Sequence, residues 1–410
     1  MQMERLNKAL TAAVNELKAK GTAKGKELVI TGVKPATKTN CPRFYVEGYG
    51  DKEFIKMNSN SYMGLSLRKD MIEAEEEGAK TFGVGPGAVR FISGTYKVHT
   101  NLEEKLAKFL GREAGMIFSS AYVTSLGVLV PLCTAETVFI SDELNHNCII
   151  QAMRLSRPSG KFIYKHNDMA DAEAKIKEAI GQGKRALVVT DGIFSMRGDN
   201  APLDVLIDLC HKYNDKFEEG IVSVVDDSHG IGAFGKTGRG TEEYCNTRCD
   251  VLIGTLGKAF GVNGGFVVSS AAVIEFLRET APMYIYSNPI TVSEAKAATR
   301  ALQILDSDEG RKIVAHVAAM TKRFEDGIVK AGFETIPGPH PVVPLMVRDT
   351  ARTADIVKWL KEHGVLATGL NYPVVPKGSE EIRFQITGEH QPADIDYVID
   401  VLNKYQQAHK

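Results

Sequence analysis

IVSVVDDSHGIGAFGKTGRG, residues 221–240, is the stretch on which the fold turns. It opens as a short, almost continuous apolar run and then breaks into two acids, a serine, a histidine and a string of glycines. A strand without apolar–polar alternation is buried on both faces, and such strands belong to parallel sheets covered by helices. DVLIGTLGKAFGVNGG, residues 250–265, repeats the form, with an apolar run that gives way to Thr255, Lys258 and closely spaced glycines.

Working outward, short apolar runs recur at 116–118, 137–140, 186–189 and 266–268, and helical spacing fills 147–155, 170–180 and 203–213 between them. Strands alternating with helices predict an α/β fold built on a large, mostly parallel sheet. At 101–110 the run NLEEKLAKFL has helical spacing, and Thr100 with Glu103 reads as a capping box at its start. From Ile290 the pattern changes. Helical stretches at 293–305 and 310–331 lead through the turn IPGPHPVVP to short strands and helices ending near Tyr405, which predicts a smaller α+β unit. The expected organisation is a helix (4–18) and arm within 1–50, a large domain over 51–289 and a small C-terminal domain over 290–410.

The 410 residues are 43% hydrophobic and 25% charged, a globular composition far from that of disordered or fibrous chains. A formal charge of −1 gives no whole-chain reason to expect nucleic acid or an acidic membrane, so small-molecule partners are expected. Residues 1–17 mix charges with apolar side chains, and no apolar run is long enough to span a bilayer, so a soluble, cytoplasmic protein is expected. The six cysteines are scattered without the spacing or partner histidines of a zinc site, and no metal is expected.

In open parallel sheets, functional side chains gather at the carboxyl ends of strands. Asp226 and His229 follow one such strand, and Thr255 and Lys258 follow another. A lysine is nucleophilic only as the free amine, and an apolar, glycine-rich setting such as that of Lys258 lowers its pKa. Pyridoxal 5′-phosphate requires a lysine for its aldehyde, a carboxylate that keeps its ring nitrogen protonated and a donor to its phenolic oxygen. Lys258, Asp226 and His229 suit these three roles. A phosphate calls for backbone N–H groups at a helix start together with hydroxyls. Ser119, Ser120 and Ala121 precede a helical stretch beginning near Tyr122, and Thr255 adds a hydroxyl. Alone, an Asp-x-x-His after a strand is more often a loop cap, and a Gly-Lys is more often a turn with a surface lysine. The specificity lies in the combination and its order.

The runs GAVRFISGTYKVHTNLEEKLAKFLG, DELNHNCIIQAMRLSR, DGIFSM, VDDSHGIGAFGKTGRG, GTLGKAFGVNGG and YPVVPKG closely resemble the α-oxoamine synthases. These are fold-type I transferases dependent on pyridoxal phosphate, and the resemblance covers residues 58–396. Within the family, VRFISGT, the EYC after GRG, GTLGKA and YPVVPKG look most like the members that join glycine to acetyl-coenzyme A. The resemblance implies the cofactor carried as a Schiff base on Lys258, Asp226 at the pyridinium nitrogen, His229 at the phenolic oxygen and His146 stacked on the ring. It further implies Ser120, Ala121, Tyr122 and Thr255 at the phosphate, Ser195 beside the ring, and Asn60 and Arg383 on the substrate carboxylate. Val89, beside Arg90, would crowd a substrate side chain and so favour glycine. A homodimer with the site at its interface is implied, the segment 286–288 carrying Ser287 and Asn288 to the partner's phosphate.

The reaction so implied condenses glycine and acetyl-coenzyme A to 2-amino-3-ketobutyrate and coenzyme A, a step of threonine degradation. The alternative is a decarboxylating relative using alanine and a long acyl thioester, like 8-amino-7-oxononanoate synthases. A non-catalytic subunit of the family would be expected to lack Lys258 or Asp226, and both are present.

Some positions depart from the family pattern. Its SMDG is SMRG here, with Arg197 in place of the acid, and Ser125 replaces the asparagine after the phosphate loop. Its FSNSLPP-type segment is reduced to YSNPI, and its EGLYR-like N-terminal motif is KGTAKGK. These changes leave the cofactor residues intact and bear on the acyl donor. Arg383, between Ile382 and Phe384 in a short strand, needs an anionic partner, and a planar fork suits a carboxylate. Gly83, Gly85 and Gly87 follow a helical segment and read as a tight turn, not a dinucleotide loop. His99, His166 and His211 read as capping or solvated residues.

Overall fold

The computed structural model describes residues 2–409 except Gly21 and Pro373. Met1, Gly21 of the KGTAKGK run, Pro373 of YPVVPKG and Lys410 lie outside the described residues. After an N-terminal helix (Gln2–Ala19), β1 (Ile30–Lys34) and β2 (Arg43–Val46) pair antiparallel, and β3 (Ile55–Lys56) follows. Seven strands then build the main sheet: β4 (Ala114–Phe118), β5 (Thr137–Asp142), β6 (Gly160–Tyr164), β7 (Arg185–Asp191), β8 (Ile221–Asp226), β9 (Val251–Thr255) and β10 (Gly265–Ser269). Their order is β4-β10-β9-β8-β7-β5-β6. Only β10 is antiparallel to its neighbours.

Every residue of β5, β9 and β10 is buried, as unalternating apolar strands require when helices cover both faces. One face packs Met116, Phe139, Val224 and Ile253 against Leu126, Ile149 and Leu277 of the helices Ala121–Leu132, Asn147–Leu155 and Ala271–Thr280. The other face packs Ile117, Val225, Leu252 and Phe266 against Leu102, Leu106, Ala298 and Leu302. Side chains such as Phe139 and Ile253 each contribute roughly 1.5–3 kcal/mol over exposure.

A second sheet joins β11 (Glu334–Thr335), β12 (Val342–Met346), β14 (Thr368–Leu370) and β15 (Glu381–Gln385) in the order β11-β12-β15-β14, all antiparallel. The short β13 (Val365–Leu366) pairs with β3. The associated core gathers Phe324, Leu360, Phe384 and Val398 together with Cys41, Ile55 and Met57 from far upstream. The helix Val292–Leu305, although it follows residue 290, packs into the core of the main sheet.

The capping box expected at Thr100 and Glu103 is not what starts its helix. The helix begins at Lys97, and His99 Nδ1 accepts from the Tyr96 N–H at 3.1 Å. Glu103 is buried and accepts from Arg90 Nη1 at 3.0 Å, Arg278 Nη2 at 2.8 Å and the Ile117 N–H at 3.0 Å. A carboxylate that neutralises the buried Arg90 and the half-buried Arg278 is not free to cap a helix, since without it the Arg90 charge would be stranded in the core. Among the described residues, no helix is long and apolar enough to cross a membrane.

Candidate active site

The parallel strands deliver their last residues to one end of the main sheet. Asp191 closes β7 and Asp226 closes β8, and the two stand opposite each other in register. Asp226 Oδ2 accepts from Ser125 Oγ at 2.8 Å, and Oδ1 accepts from the Ser228 N–H at 3.1 Å. Asp191 Oδ2 accepts from the His146 N–H at 2.8 Å. Burial first, and then the neighbouring Asp226, push the Asp191 carboxyl well above the usual carboxylate range.

Lys258 sits in the short loop between β9 and β10. Leu256 bonds Gly264 across the loop at 2.9 Å, and the Gly261 N–H donates to the Lys258 carbonyl at 2.9 Å, so the lysine rides on a closed hairpin. Burial lowers its pKa to about 8, against the opposing pull of Asp226 and Asp191. Lys258, Asp191, Asp226, Ser228, His229 and His146 line one cavity, with Ala121, Tyr122, Cys148 and Ser195 completing its wall.

His229 Nδ1 lies 2.7 Å from Tyr62 Oη, and the His229 carbonyl accepts from His340 Nε2 at 2.9 Å. Burial, with Lys258 close by, holds the His229 imidazole well below its usual pKa and therefore neutral. His146 caps the helix Asn147–Leu155, its Nδ1 accepting from the Cys148 N–H at 3.3 Å, and burial lowers its pKa as well.

The helix Ala121–Leu132 starts beside this group. Ser120 caps it by accepting from the Val123 N–H at 3.2 Å, which leaves the first-turn amides of Ala121 and Tyr122 facing outward, as at any helix start. Gly265 explains how β10 comes so near. A Cβ there would fall 2.5 Å from both N and Cα of Ala121. Thr255 stands opposite Gly265 in the ladder, its hydroxyl accepting from the Gly257 N–H at 3.1 Å. Tyr122 is more exposed, and its hydroxyl donates to Asn147 Oδ1 at 2.9 Å.

From the second sheet, Arg383 reaches the same region and donates through Nη1 to the Ser195 carbonyl at 3.2 Å. The Gln385 amide, with its oxygen toward the guanidinium, accepts from Arg383 Nε and Nη2 at 3.1 Å each, and that oxygen lies 2.9 Å from the Asn60 side-chain amide. His146, Asp191 and Ser195 also border a larger cavity of about 650 Å³, whose wall includes Lys24, Arg197, Met346 and Glu381. Arg197 is paired with Asp199 at 2.8 Å. His166 bridges Asp142 at 3.1 Å and Asp199 at 3.2 Å; burial opposes its charge, but these bonds push it up to about 9.

Three expected residues lie apart from this cavity within one chain. Val89 precedes the turn Arg90–Gly94, Ser287 is half-buried, and Asn288 is exposed beyond the short helix Pro282–Ile285. Conversely, Asp191, Cys148, Ser228 and Tyr62 stand at the site without having been singled out in the sequence, and Ser125, noted there as a departure from the family pattern, is the hydroxyl that holds Asp226. Asp191 carried a usable signal, an acid and glycine ending a buried run just as in VVDDSHG. The glycines of that motif serve Asp227, whose Oδ2 accepts from the Thr241 N–H and Oδ1 from its hydroxyl, both at 2.7 Å. A Cβ on Gly230 or Gly240 would fall 2.1 or 1.9 Å from this carboxylate.

The donor set fits a flat, protonated heteroaromatic ring bearing a phosphate arm. Two adjacent buried carboxylates face a single lysine, free helix amides lie at one end, and the buried Ser228 Oγ has no partner. Comparison with known proteins agrees. Residues 52–402 match the family model for aminotransferase class I and II. The 8-amino-7-oxononanoate synthase of Thermosipho melanesiensis is 37% identical over 355 residues, which is 86% of this chain and 88% of that one. The mitochondrial 2-amino-3-ketobutyrate coenzyme A ligase of Bos taurus is 36% identical over 410 residues, 99% of this chain and 94% of that one. Among solved structures, the serine palmitoyltransferase of Sphingomonas wittichii superposes with a TM-score of 0.88 over 99% of this chain and 98% of that one, at 24% identity.

Proposed function

The chain belongs to the aminotransferase class I and II family, among its α-oxoamine synthases, and on that basis we propose that it condenses glycine with acetyl-coenzyme A to 2-amino-3-ketobutyrate and coenzyme A. It is a pyridoxal-phosphate-dependent acyltransferase. When bound, the cofactor supplies an electron-withdrawing ring that stabilises negative charge on the substrate α-carbon.

The residues divide the work as follows in this reading. Lys258 holds the cofactor covalently, and once freed its Nζ takes the α-proton of the amino acid, a role suited to an amine whose pKa lies near 8. Asp226, held by Ser125, keeps a proton on the ring nitrogen, and His229 donates to the phenolic oxygen. His146 covers one ring face, with Ser195 alongside. The amides of Ala121 and Tyr122, with the hydroxyls of Ser120 and Thr255, hold the phosphate. Arg383 grips the amino acid carboxylate, with Asn60 beside it. The larger cavity takes the acyl-coenzyme A, whose anionic groups suit Lys24 and Arg197 on its wall.

A homodimer belongs to this proposal, with Val89, Ser287 and Asn288 completing the partner's site. Its support is exposed apolar surface near those positions and on the N-terminal helix. Phe91, Ile92 and Tyr286 are exposed, as are Met3, Leu6, Leu10, Val14 and Leu17 along one stripe.

The observation that carries the choice of substrates is coverage. The bovine ligase matches 99% of this chain, whereas the oxononanoate synthase of similar identity matches 86%. Turnover of glycine, alanine and serine against acetyl-, succinyl- and pimeloyl-coenzyme A tests the proposal. Glycine with acetyl-coenzyme A should be fastest and the product should keep its carboxylate; a preference for alanine with a long acyl group would overturn the assignment. Subunit mixing tests the dimer. Heterodimers carrying Lys258→Ala on one chain and Asn288→Ala on the other should keep one working site, and those with both changes on the same chain should keep none.

A further inference from the structure

We infer that Tyr62 is a positioning residue that fixes the proton of His229 on Nε2, at the end of a one-directional run of hydrogen bonds starting at Arg383. The inference rests on the assignment of His229 to the cofactor's phenolic oxygen, and it follows from donor and acceptor accounting.

A guanidinium has donors only, so the Gln385 amide atom 3.1 Å from Arg383 Nε and Nη2 is the oxygen. That oxygen faces the Asn60 side-chain amide at 2.9 Å, so Asn60 presents its NH₂ there. Because two carbonyl oxygens cannot share a hydrogen bond, the Asn60 amide is turned together with that of Gln385; its NH₂ then lies 3.3 Å from Tyr62 Oη, so the amide donates and the phenol oxygen accepts. A phenol has one proton, and Tyr62 directs it to His229 Nδ1, 2.7 Å away. The neutral imidazole, accepting at Nδ1, carries its proton on Nε2, the nitrogen left over on a residue that lines the cavity. Each link therefore has a single polarity, set by an arginine that cannot reverse it.

The surroundings hold the run in place. Tyr62 and Gln385 are fully buried, and burial raises the Tyr62 pKa, so the phenol keeps its proton. His340 meets the Tyr62 ring edge-on at 5.2 Å and donates to the His229 carbonyl, fixing both members of the pair from one side. In sequence, Asn60 and Tyr62 come from the coil before residue 69, and Gln385 and Arg383 from β15. The run thus ties the residues proposed for the substrate carboxylate to the histidine proposed for the cofactor.

The test reads the tautomer directly. Protein labelled with ¹⁵N-histidine and stripped of cofactor is measured by NMR, with His229 assigned from the signals lost in His229→Asn. The wild type should show an unprotonated Nδ1 and a protonated Nε2. In Tyr62→Phe, which keeps the ring and removes the donor, the two tautomers should mix. In the loaded enzyme the same variant should lower kcat about tenfold, the equivalent of one hydrogen bond, with KM for glycine within about twofold. A protonated Nδ1 in the wild type overturns the inference, as does an unchanged tautomer in folded Tyr62→Phe. If that variant does not fold, the wild-type spectrum decides. Because the spectrum is taken on cofactor-free protein, it stands whichever substrates the enzyme proves to use.

Discussion

With the cofactor removed, Lys258 should titrate near pH 8, well below an ordinary lysine, and Asp226→Asn should lower it further. Burial carries its pKa from 10.5 to about 8, with Asp226 and then Asp191 pulling the other way. The drop corresponds to roughly 3 kcal/mol favouring the free amine. At pH 7 about one Lys258 in ten is then neutral, against about one in three thousand for an unperturbed lysine, a gain of about 300-fold in reactive amine. Asp226→Asn deletes the carboxylate that does most to stabilise the ammonium, so the midpoint must fall. Reductive methylation with formaldehyde across a pH series, followed by the mass of the Lys258 peptide, measures it with a reagent small enough to enter the cavity. The labelling rate should level off above pH 8 in the wild type, and the variant should level off lower. A wild-type rate still climbing at pH 10, or a midpoint that rises in Asp226→Asn, would refute the reasoning.

Other expectations follow from single contacts. Ser125→Ala removes a charge-assisted bond to Asp226 worth roughly 1.5–3 kcal/mol, so cofactor affinity measured by absorbance titration should weaken about 10- to 100-fold. Glu103→Gln leaves the Arg90 and Arg278 guanidinium groups without their counter-ion, and urea unfolding should show a loss of about 3–5 kcal/mol; a change under about 1 kcal/mol would contradict the buried pair. Burial raises the folded Asp227 carboxyl to about 7, so the folded state holds that proton more tightly than the unfolded chain. Its contribution is therefore full below about pH 3.9 and is lost as pH rises through 7. Asp227→Asn cannot titrate, so its urea midpoint should gain on that of the wild type between pH 4 and pH 7; a constant difference would show that Asp227 does not titrate in that range.

The parts of the site that were legible in the sequence lie within a few residues of a buried strand. Asp226, His229, Thr255 and Lys258 follow apolar runs, and the α/β sheet could be read from those same runs. Asp191 was not singled out, and Ser125 was noted without its link to Asp226, because their importance depends on which strands and helices become neighbours. Asp191 matters through its register with Asp226, and Ser125 through a helix whose packing brings its hydroxyl to the end of β8. Tyr62 lies in coil with no periodicity to mark it. Glu103 shows the opposite failure. A local pattern, Thr100-x-x-Glu103, was present, but the charges of the buried Arg90 and the half-buried Arg278 outweighed it. Val89, Ser287 and Asn288 do not line the cavity within one chain, and their proposed roles require a second copy.

The position of β10 bears on how the protein is made. This strand, the last of the main sheet in chain order, lies between β9 and β4, the first, pairing Phe118 with Gly265 and Ala114 with Ser269. A chain emerging from the ribosome must therefore carry β4 without its strand partner in the main sheet until β10 has been translated, and such distant pairing is slow. Only then does Gly265 come against Ala121 at the start of the helix proposed to hold the phosphate. Lys258 is translated just before that strand. On the proposed assignment of Lys258 and the Ala121 helix start to the cofactor, its capture is timed to the closing of the sheet, and a nascent or truncated chain that stops short of residue 265 has neither the cradle nor a settled lysine to bind it.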